Sequence, residues 1–206
     1  MKQKPIYTIG HSTHPLFYFL ELLNAHGVNS IVDVRSLPAS RFNPQYNKKT
    51  LARSLEECGI AYHHLGEEFG ARQTDPNVLN EEGKVDFQKM RSSEKFKKGV
   101  EQLKIATESG SVIALMCSEG EPLTCHRFSM ISPALQDFEV LHILKDKTVM
   151  TQVQMEDELL KHYANQLQPD IFRPHNSRSD QLDAAFIIVN KEIAFSPVTQ
   201  RKGPKK

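Results

Sequence analysis

The stretch Ser111-Val-Ile-Ala-Leu-Met116 is the most apolar segment of the chain, and Cys117 follows it directly. A short, unbroken apolar run is typical of a parallel strand that is covered on both faces. Similar runs at 6–9 and 30–34 are each followed by a segment with apolar residues at helical spacing. Because strands and helices alternate in this way, we predict an α/β fold with a Rossmann-like, mostly parallel sheet and helices on both faces.

The same patterns divide the rest of the chain into elements and regions. We predict strands at 6–9, 30–34, 60–63, 111–116 and 138–144. We predict helices at 16–26, 48–58, 86–90, 93–109 and 180–193, and one that begins near residue 155. A further helix is predicted at 125–136, interrupted near Pro133. Glycines and a proline without a clear period predict a long loop at 66–83. We expect an α/β domain at 1–146, a helical extension packed on it at 147–196, and a disordered basic tail at 197–206.

The composition restricts the class of protein. The chain has 206 residues, a net charge of +1 and a hydrophobic fraction of 39%, which suit a globular domain with its own core. With so little net charge, contact with nucleic acid would need a local basic patch. Three cysteines are too few for a disulfide framework, and no segment has the pattern of a signal peptide or a membrane span. We therefore expect a cytoplasmic protein with reduced thiols and no membrane partner.

Reactive and charged side chains follow each of the first four predicted strands. Ligands of open α/β sheets bind at the carboxyl ends of the strands, so these side chains mark a candidate site. They lie in Gly10-His-Ser-Thr-His14, in Asp33-Val-Arg35 with Ser40-Arg41, at His64, and in Cys117-Ser-Glu119.

The segment Cys117-Ser-Glu-Gly-Glu-Pro-Leu-Thr-Cys-His-Arg127 has the highest density of reactive groups. A cation at a helix N-terminus opposes the helix dipole, so Arg127 in that position indicates a bound anion. The free N–H groups of the first helical turn would hold the same anion. Arg35 and Arg41 would converge on it from a neighbouring loop. The alternative is that Arg127 forms a structural ion pair with the carboxylate that follows the second or the fourth strand.

Metal and thiol chemistry are further alternatives for this segment. Cys117, Cys125, His126 and His11 carry atoms that bind zinc. Their spacing differs from that of zinc ribbons, and adjacent Cys and His residues rarely both reach one ion, so we assign no metal ligands. A redox pair of the two cysteines would gain a lowered thiol pKa at a helix N-terminus, but the Cys-x-x-Cys spacing is absent. Otherwise both cysteines are small core residues.

His11 follows a glycine at the end of the first predicted strand. Its unperturbed pKa lies near neutrality, which suits a general base. Asp33 would orient His11 or Arg35 at the neighbouring strand end. The alternative for His11 is a hydrogen bond to a neighbouring loop without a catalytic part.

Several motifs occur together in this chain: Thr8-Ile-Gly-His-Ser12, Asp33-Val-Arg35, Pro38-Ala-Ser-Arg41, Cys117-x-Glu119, Cys125-His-Arg127, Val140-Leu-His-Ile143 and Ile193-Ala-Phe195. In this combination the chain resembles the DUF488 family over about residues 5–196, and it departs from the family pattern at Phe69-Gly-Ala71. The resemblance implies a Rossmann-like α/β domain of the bacterial or archaeal cytoplasm, in a family whose function is not settled. It also implies the signature residues His11, Ser12, Asp33, Arg35, Ser40, Arg41, Cys117, Glu119, Cys125, His126 and Arg127.

Three functions are compatible with these residues. The first is an enzyme that hydrolyses a glycosidic or phosphate bond of a nucleotide or nucleic acid. Its catalytic residues would be Glu119, His11, His126 and Cys117, and its ligand-binding residues Ser12, Asp33, Arg35, Arg41, Cys125 and Arg127. The second is a non-catalytic module that binds a phosphate-bearing small molecule or nucleic acid. The third is thiol or metal chemistry at Cys117 and Cys125. Glu119 favours an enzyme, because a pure anion binder gains nothing from a carboxylate. The sequence identifies no cofactor and no oligomeric state.

Overall fold

The structure, a computed structural model, describes residues 4–168 and 177–197 of the chain. Its centre is a six-stranded sheet in the order β3-β2-β4-β1-β5-β6. The strands are β1 (Ile6–Gly10), β2 (Ser30–Asp33), β3 (Ala61–His64), β4 (Ile113–Cys117), β5 (Val140–Ile143) and β6 (Val149–Thr151). The first five strands pair in parallel, and β6 pairs with β5 in the antiparallel direction. The prediction of a mixed α/β fold with a mostly parallel sheet is therefore confirmed.

Seven α-helices connect or flank these strands within the described residues. They are α1 (Leu16–Ala25), α2 (Lys48–Glu56), α3 (Gly66–Phe69), α4 (Phe87–Ser92), α5 (Glu94–Glu108), α6 (Gln152–His162) and α7 (Arg178–Ile193). Helix α6 begins three residues before the predicted start, because Thr151 and Gln154 form a capping box at its N-terminus. Among the described helices, none is both long and apolar enough to cross a membrane.

The apolar stretch that ends at Cys117 becomes β4, which lies between β1 and β2 in the sheet. All five residues of β4 are buried, as expected for an interior strand of a mostly parallel sheet. Successive side chains of a strand point to opposite sides. Accordingly, Ile113 and Leu115 belong to an apolar cluster with residues of α5, whereas Ala114 and Met116 belong to another cluster with residues of α1 and α2.

The chain after residue 146 contributes to the sheet as well as to helices. Strand β6 lies at the edge of the sheet, within the region that the sequence assigns to a helical extension. Its three residues are too few to give a strand pattern in the sequence. Helix α7 is attached to the first part of the chain by the Asn190 side chain, which accepts a hydrogen bond from Phe87 N and donates one to Val85 O. The basic tail predicted at 197–206 lies, from residue 198 onward, outside the described residues.

Two predicted elements differ from the structure. In place of a helix at 125–136 that is interrupted near Pro133, the chain forms one π-helical turn, Arg127–Ile131, followed by a 3₁₀ turn, Ser132–Ala134. Pro133 explains the difference, because it lacks an N–H donor and its ring collides with the carbonyl group four residues earlier. The long loop predicted at 66–83 contains α3 and the 3₁₀ turn Pro76–Val78. The buried side chains Phe69 and Val78 hold these short turns on the core.

Candidate functional site

A pocket of about 600 Å³ opens at the carboxyl ends of β1, β2 and β4. At these strands the chain order of the sheet reverses, since β1 to β3 extend it in one direction and β4 to β6 extend it in the other. Such a position is the usual ligand site of an open α/β sheet. Seven of the residues that the sequence assigns to the site line this pocket: His11, Ser12, Arg35, Ser40, Cys117, Glu119 and His126. We call it the site pocket.

Backbone hydrogen bonds continue the pairing of the strands into the loops of the site pocket. His11 N donates to Cys117 O at 2.9 Å, and Ser12 N donates to Ser118 O at 3.0 Å. Gly10 lies against the loop that carries Glu119, and a Cβ atom at Gly10 would overlap the carbonyl oxygen of Glu119. Ser12 has a left-handed backbone with φ of 49°, which is unusual for a residue with a side chain. The loops after β1 and β4 are therefore held at close approach.

Four side chains with metal-binding atoms meet on the floor of the site pocket. They are Cys117, Glu119, Cys125 and His126, and their ligand atoms all lie within 4.8 Å of one another. The Oε2 atom of Glu119 accepts hydrogen bonds from Cys117 Sγ at 2.5 Å and from Cys125 Sγ at 3.4 Å. The Nδ1 atom of His126 lies 3.7 Å from Cys117 Sγ and 3.9 Å from Cys125 Sγ. Contrary to the expectation from their adjacency in sequence, Cys125 and His126 point to the same place. We call these four residues the thiol cluster.

The orientation of the His126 ring is determined by its second nitrogen. Nε2 lies 3.3 Å from the carbonyl oxygen of Val34, just beyond the end of β2. A carbonyl oxygen only accepts, so Nε2 carries a proton in this contact and Nδ1 faces the two thiols. Burial opposes a charge on the ring, but the hydrogen bond and the negative charge of Cys125 hold the pKa of His126 above its ordinary value. His126 is buried, and its ring has little freedom to turn.

The two thiols of the cluster have pKa values that shift in opposite directions. Burial and a hydrogen bond with Cys125 raise the pKa of Cys117 well above its usual value. Burial alone would raise the pKa of Cys125 too, but the hydrogen bond from Cys117 and the positive charge of Arg127 outweigh it. The pKa of Cys125 is therefore well below its usual value, and this thiol carries the negative charge more readily.

Arg127 is fully buried behind the pocket and does not line it. Its terminal nitrogens donate to the carbonyl oxygens of Glu119 and, at 3.0 Å, of Gly120. Its Nε has no hydrogen-bond partner within the described part of the chain. These contacts hold the loop that carries Glu119 and use the terminal donors, so they favour a positioning role over binding an anion. They also differ from the predicted alternative, a structural ion pair with a carboxylate.

Arg35 and Asp33 form a buried ion pair beside the pocket. Arg35 Nη2 lies 2.6 Å from Asp33 Oδ2, and Arg35 Nε donates to Asp33 Oδ1 at 2.9 Å. Tyr62 donates its hydroxyl proton to the same carboxylate at 2.7 Å. Burial opposes the charge of Arg35, but the hydrogen bonds and charge of Asp33 hold the pKa of Arg35 above its ordinary value. The pair leaves one guanidinium nitrogen, Nη1, for His11.

His11 has both ring nitrogens in hydrogen bonds. Nδ1 lies 2.8 Å from the carbonyl oxygen of Ser12, and Nε2 lies 3.1 Å from Arg35 Nη1. The first contact requires a proton on Nδ1, so Nε2 accepts from Arg35. Burial, to which Arg35 adds, lowers the pKa of His11 to about 4, although the bond to Ser12 opposes the shift. His11 is therefore neutral near pH 7, stacks on Tyr46 with ring centroids 4.0 Å apart, and has no free lone pair for a general base.

The remaining predicted residues differ in their distance from the pocket. Ser40 lines it, whereas Arg41 is exposed and does not. The structure adds Arg72, Ile193 and Phe195, which line the pocket from the loop after α3 and from the C-terminal segment. Arg72 is exposed and its guanidinium lies 6.0 Å from the ring centroid of Phe195. The Ile193-Ala-Phe195 motif contains two of these residues, but no local pattern in the sequence indicates that residue 195 lies at the pocket.

The family model described as "Domain of unknown function DUF488" matches residues 15–132, which is more than half of the chain. The chain belongs to the DUF488 family. The match includes β2, β4 and the whole thiol cluster, and it begins after His11 and Ser12. The likeness predicted for the remaining parts of 5–196 lies beyond the matched residues. Comparisons with curated proteins and with solved structures gave no match.

Proposed function

We propose that this DUF488 protein is an enzyme that hydrolyses a bond in a nucleotide or in a component of nucleic acid, with Glu119 as the acid–base group. The observation that carries the proposal is the environment of Glu119. Its side chain is exposed to the site pocket, while its Oε2 contacts both thiols of the cluster. A carboxylate that is held at one oxygen and open to a pocket can exchange protons with a bound molecule.

The dimensions and lining of the site pocket support a polar ligand with a ring. Its volume of about 600 Å³ is in the range of small-molecule sites. Hydroxyl and amide groups of Ser12, Ser40 and Asn43 line it together with the apolar side chain of Phe195. Arg72 at the rim supplies a positive charge for a phosphate group. In this proposal Arg72 takes the anion-binding role that the sequence assigns to Arg35, Arg41 and Arg127.

His11 and Arg35 act as positioning residues in this proposal. Arg35 is paired with Asp33, and its remaining nitrogen donates to His11. The resulting chain of contacts holds the loops after β1 and β2 at one distance. Proton transfer is left to Glu119, because no lone pair of His11 is free.

The proposal is tested by a ligand screen followed by a product assay. Nucleosides, nucleotides, sugar phosphates and short oligonucleotides are screened by thermal shift, and each compound that binds is incubated and analysed by mass spectrometry. We expect hydrolysis of one class, and a loss of roughly 10²–10⁴-fold in turnover for Glu119→Gln with ligand binding retained. Glu121→Gln is the matched control, since Glu121 is exposed in the same loop but does not line the site pocket.

Two results would contradict this function. Full activity of Glu119→Gln would remove the acid–base role from this residue. Binding without turnover of any compound, with a steep dependence on salt that Arg72→Ala reduces, would favour the non-catalytic phosphate-binding module instead.

We further propose a Rossmann-like arrangement with helices on both faces of the sheet, a boundary near residue 146, and a cytoplasmic location. Support for the two faces comes from β4, whose alternate residues join different apolar clusters. Support for the location comes from Cys58, Cys117 and Cys125, which are all free thiols.

A further inference from the structure

The spacing of the thiol cluster matches that of ligands around one zinc ion. Zinc binds Cys sulfur at about 2.3 Å and His nitrogen at about 2.0–2.1 Å, so a tetrahedral site places sulfur and nitrogen about 3.6 Å apart. The distances from His126 Nδ1 are 3.7 Å to Cys117 Sγ and 3.9 Å to Cys125 Sγ. Both sulfur–nitrogen separations are therefore close to the tetrahedral value, and the two sulfur atoms lie within 4.8 Å of each other.

The hydrogen bonds behind the cluster also suit a metal site. A histidine that binds a metal usually donates its second ring proton to a carbonyl or a carboxylate. His126 does so, because its Nε2 contacts Val34 O while Nδ1 faces the thiols. Arg127 holds the two carbonyl oxygens of the loop between Cys117 and Cys125. The His126 ring and the loop between the two cysteines are thus held by Val34 and Arg127, which do not line the pocket.

The ligand types select the metal. Two thiolates and one imidazole suit zinc, whereas calcium and magnesium require oxygen ligands. Two thiolates also balance the two positive charges of zinc, which matters because Cys117 and Cys125 are buried. Three protein ligands leave a fourth position of the tetrahedron, as in catalytic zinc sites. Glu119 approaches the two sulfurs from the side of the pocket, where that position would lie.

We propose that Cys117, Cys125 and His126 bind one Zn²⁺ ion on the floor of the site pocket, and that Glu119 contacts the water molecule at its fourth position. The role of Glu119 rests on the proposed function, whereas binding of the ion does not. One histidine and two cysteines on zinc, with a glutamate that is not a ligand, is also the arrangement by which zinc deaminases hydrolyse amino groups of bases.

The chemistry of such a site balances. Binding of the ion releases the thiol protons of Cys117 and Cys125 to solvent. The bound water gives one proton to Glu119, and the remaining hydroxide forms a bond to the electrophilic atom of the substrate. The bond to the leaving group breaks with its electron pair, and Glu119 passes the proton to that group. The net reaction adds one water molecule across the broken bond.

The test is the metal content of the full chain, purified without a metal-binding tag. We expect near-stoichiometric zinc by inductively coupled plasma mass spectrometry. After removal of zinc by a chelator, Co²⁺ should give the ultraviolet thiolate-to-cobalt band and the intense visible bands of a tetrahedral site. Cys117→Ser/Cys125→Ser should lose zinc and both spectral features. Cys58→Ser is the matched control and should keep them, because Cys58 is exposed and outside the cluster.

A second measurement keeps the test valid if the double variant folds poorly. Zinc added to the chelated wild-type chain should raise its Tm, and it should raise the Tm of Cys58→Ser equally. A chain without bound metal and without a Tm rise, or a disulfide between Cys117 and Cys125 in the isolated protein, would overturn the proposal. Stoichiometric iron in the cluster would overturn the assignment to zinc.

The roles of the ion and of the enzyme can be separated with Glu119→Gln. We expect this variant to retain zinc and to lose turnover. Loss of zinc would make Glu119 a ligand and overturn its proposed contact with water. Zinc retained in a wild-type chain that hydrolyses none of the screened compounds would contradict the proposed function and leave the metal site supported.

Discussion

Replacing Asp33 with Asn removes a negative charge from the interior while keeping the shape of the side chain. Asp33 is fully buried and accepts hydrogen bonds from Arg35 N, Nε and Nη2 and from the hydroxyl of Tyr62. In Asp33→Asn an amide NH₂ group replaces one oxygen, so that donors face donors, and the buried charge of Arg35 loses its partner. Removal of one member of a buried ion pair costs about 3–5 kcal/mol. We expect that loss in the free energy of unfolding.

The assay is urea unfolding, monitored by circular dichroism. With a slope of about 2–3 kcal/mol per M, the expected loss lowers the urea midpoint by about 1–2.5 M. Glu57→Gln is the control, because its partner Arg53 lies 3.8 Å away in a pair that is 75% and 69% exposed. Such pairs contribute little, and we expect a change within about 0.5 kcal/mol.

A double variant, Asp33→Asn/Arg35→Met, tests the cause of the loss. It removes the uncompensated positive charge together with its former partner, so it should lose less stability than Asp33→Asn alone. The reasoning would be refuted if Asp33→Asn cost less than about 1 kcal/mol, or if the second substitution added its full cost to the first.

Three further substitutions test other parts of the structure. Burial, with the charge of Arg127 adding to it, lowers the pKa of His142 from 6.5 to about 4, so only the unfolded chain binds this proton between those pH values. The free energy of unfolding should therefore fall by about 1.4 kcal/mol per pH unit as the pH falls from 6.5 towards 4. In urea unfolding of the metal-free protein, His142→Gln should remove this part of the pH dependence. An unchanged pH dependence would contradict the assignment to His142. Gly10→Ala should lower the free energy of unfolding by at least about 2 kcal/mol and weaken zinc binding, because its Cβ would overlap the carbonyl oxygen of Glu119. Near-wild-type stability and zinc content would contradict this prediction, since they would show that the Glu119 loop moves aside at little cost. Ser93→Ala should cost about 1 kcal/mol, because Ser93 caps α5, whereas Ser93→Asp should restore the cap, and equal melting temperatures of the two variants would contradict this role.

The sequence predicted elements whose cause is local. The unbroken apolar run before Cys117 predicted β4, and apolar residues at helical spacing predicted α1, because burial of a strand or of one helix face imposes its period on the chain. It missed β6, whose three residues pair with β5 at the edge of the sheet. At 125–136 it predicted a helix interrupted near Pro133, where the structure has a π-helical turn and a 3₁₀ turn.

The candidate site shows the same division. The sequence itself shows that reactive side chains follow the strands. Parallel strands bring their carboxyl ends to one edge of the sheet, whatever the order of the strands in it. The sequence alone therefore located the segment from Cys117 to Arg127. The sequence assigned no metal to this segment, because Cys125 and His126 are adjacent. Adjacency, however, does not determine the direction in which a turn points the two side chains.

Only the tertiary structure decided what each group contacts. Arg127 donates to carbonyl oxygens of its own segment, and the lone pair of His11 is taken by Arg35. Val34 O, just beyond the end of β2 and 92 positions away in the chain, turns Nδ1 of His126 toward the thiols. Contacts between residues so distant in sequence depend on the order of strands in the sheet, which no local period of apolar residues encodes. The sequence thus determined which chemical groups are present at this edge of the sheet, and tertiary packing determined which of them are free to react.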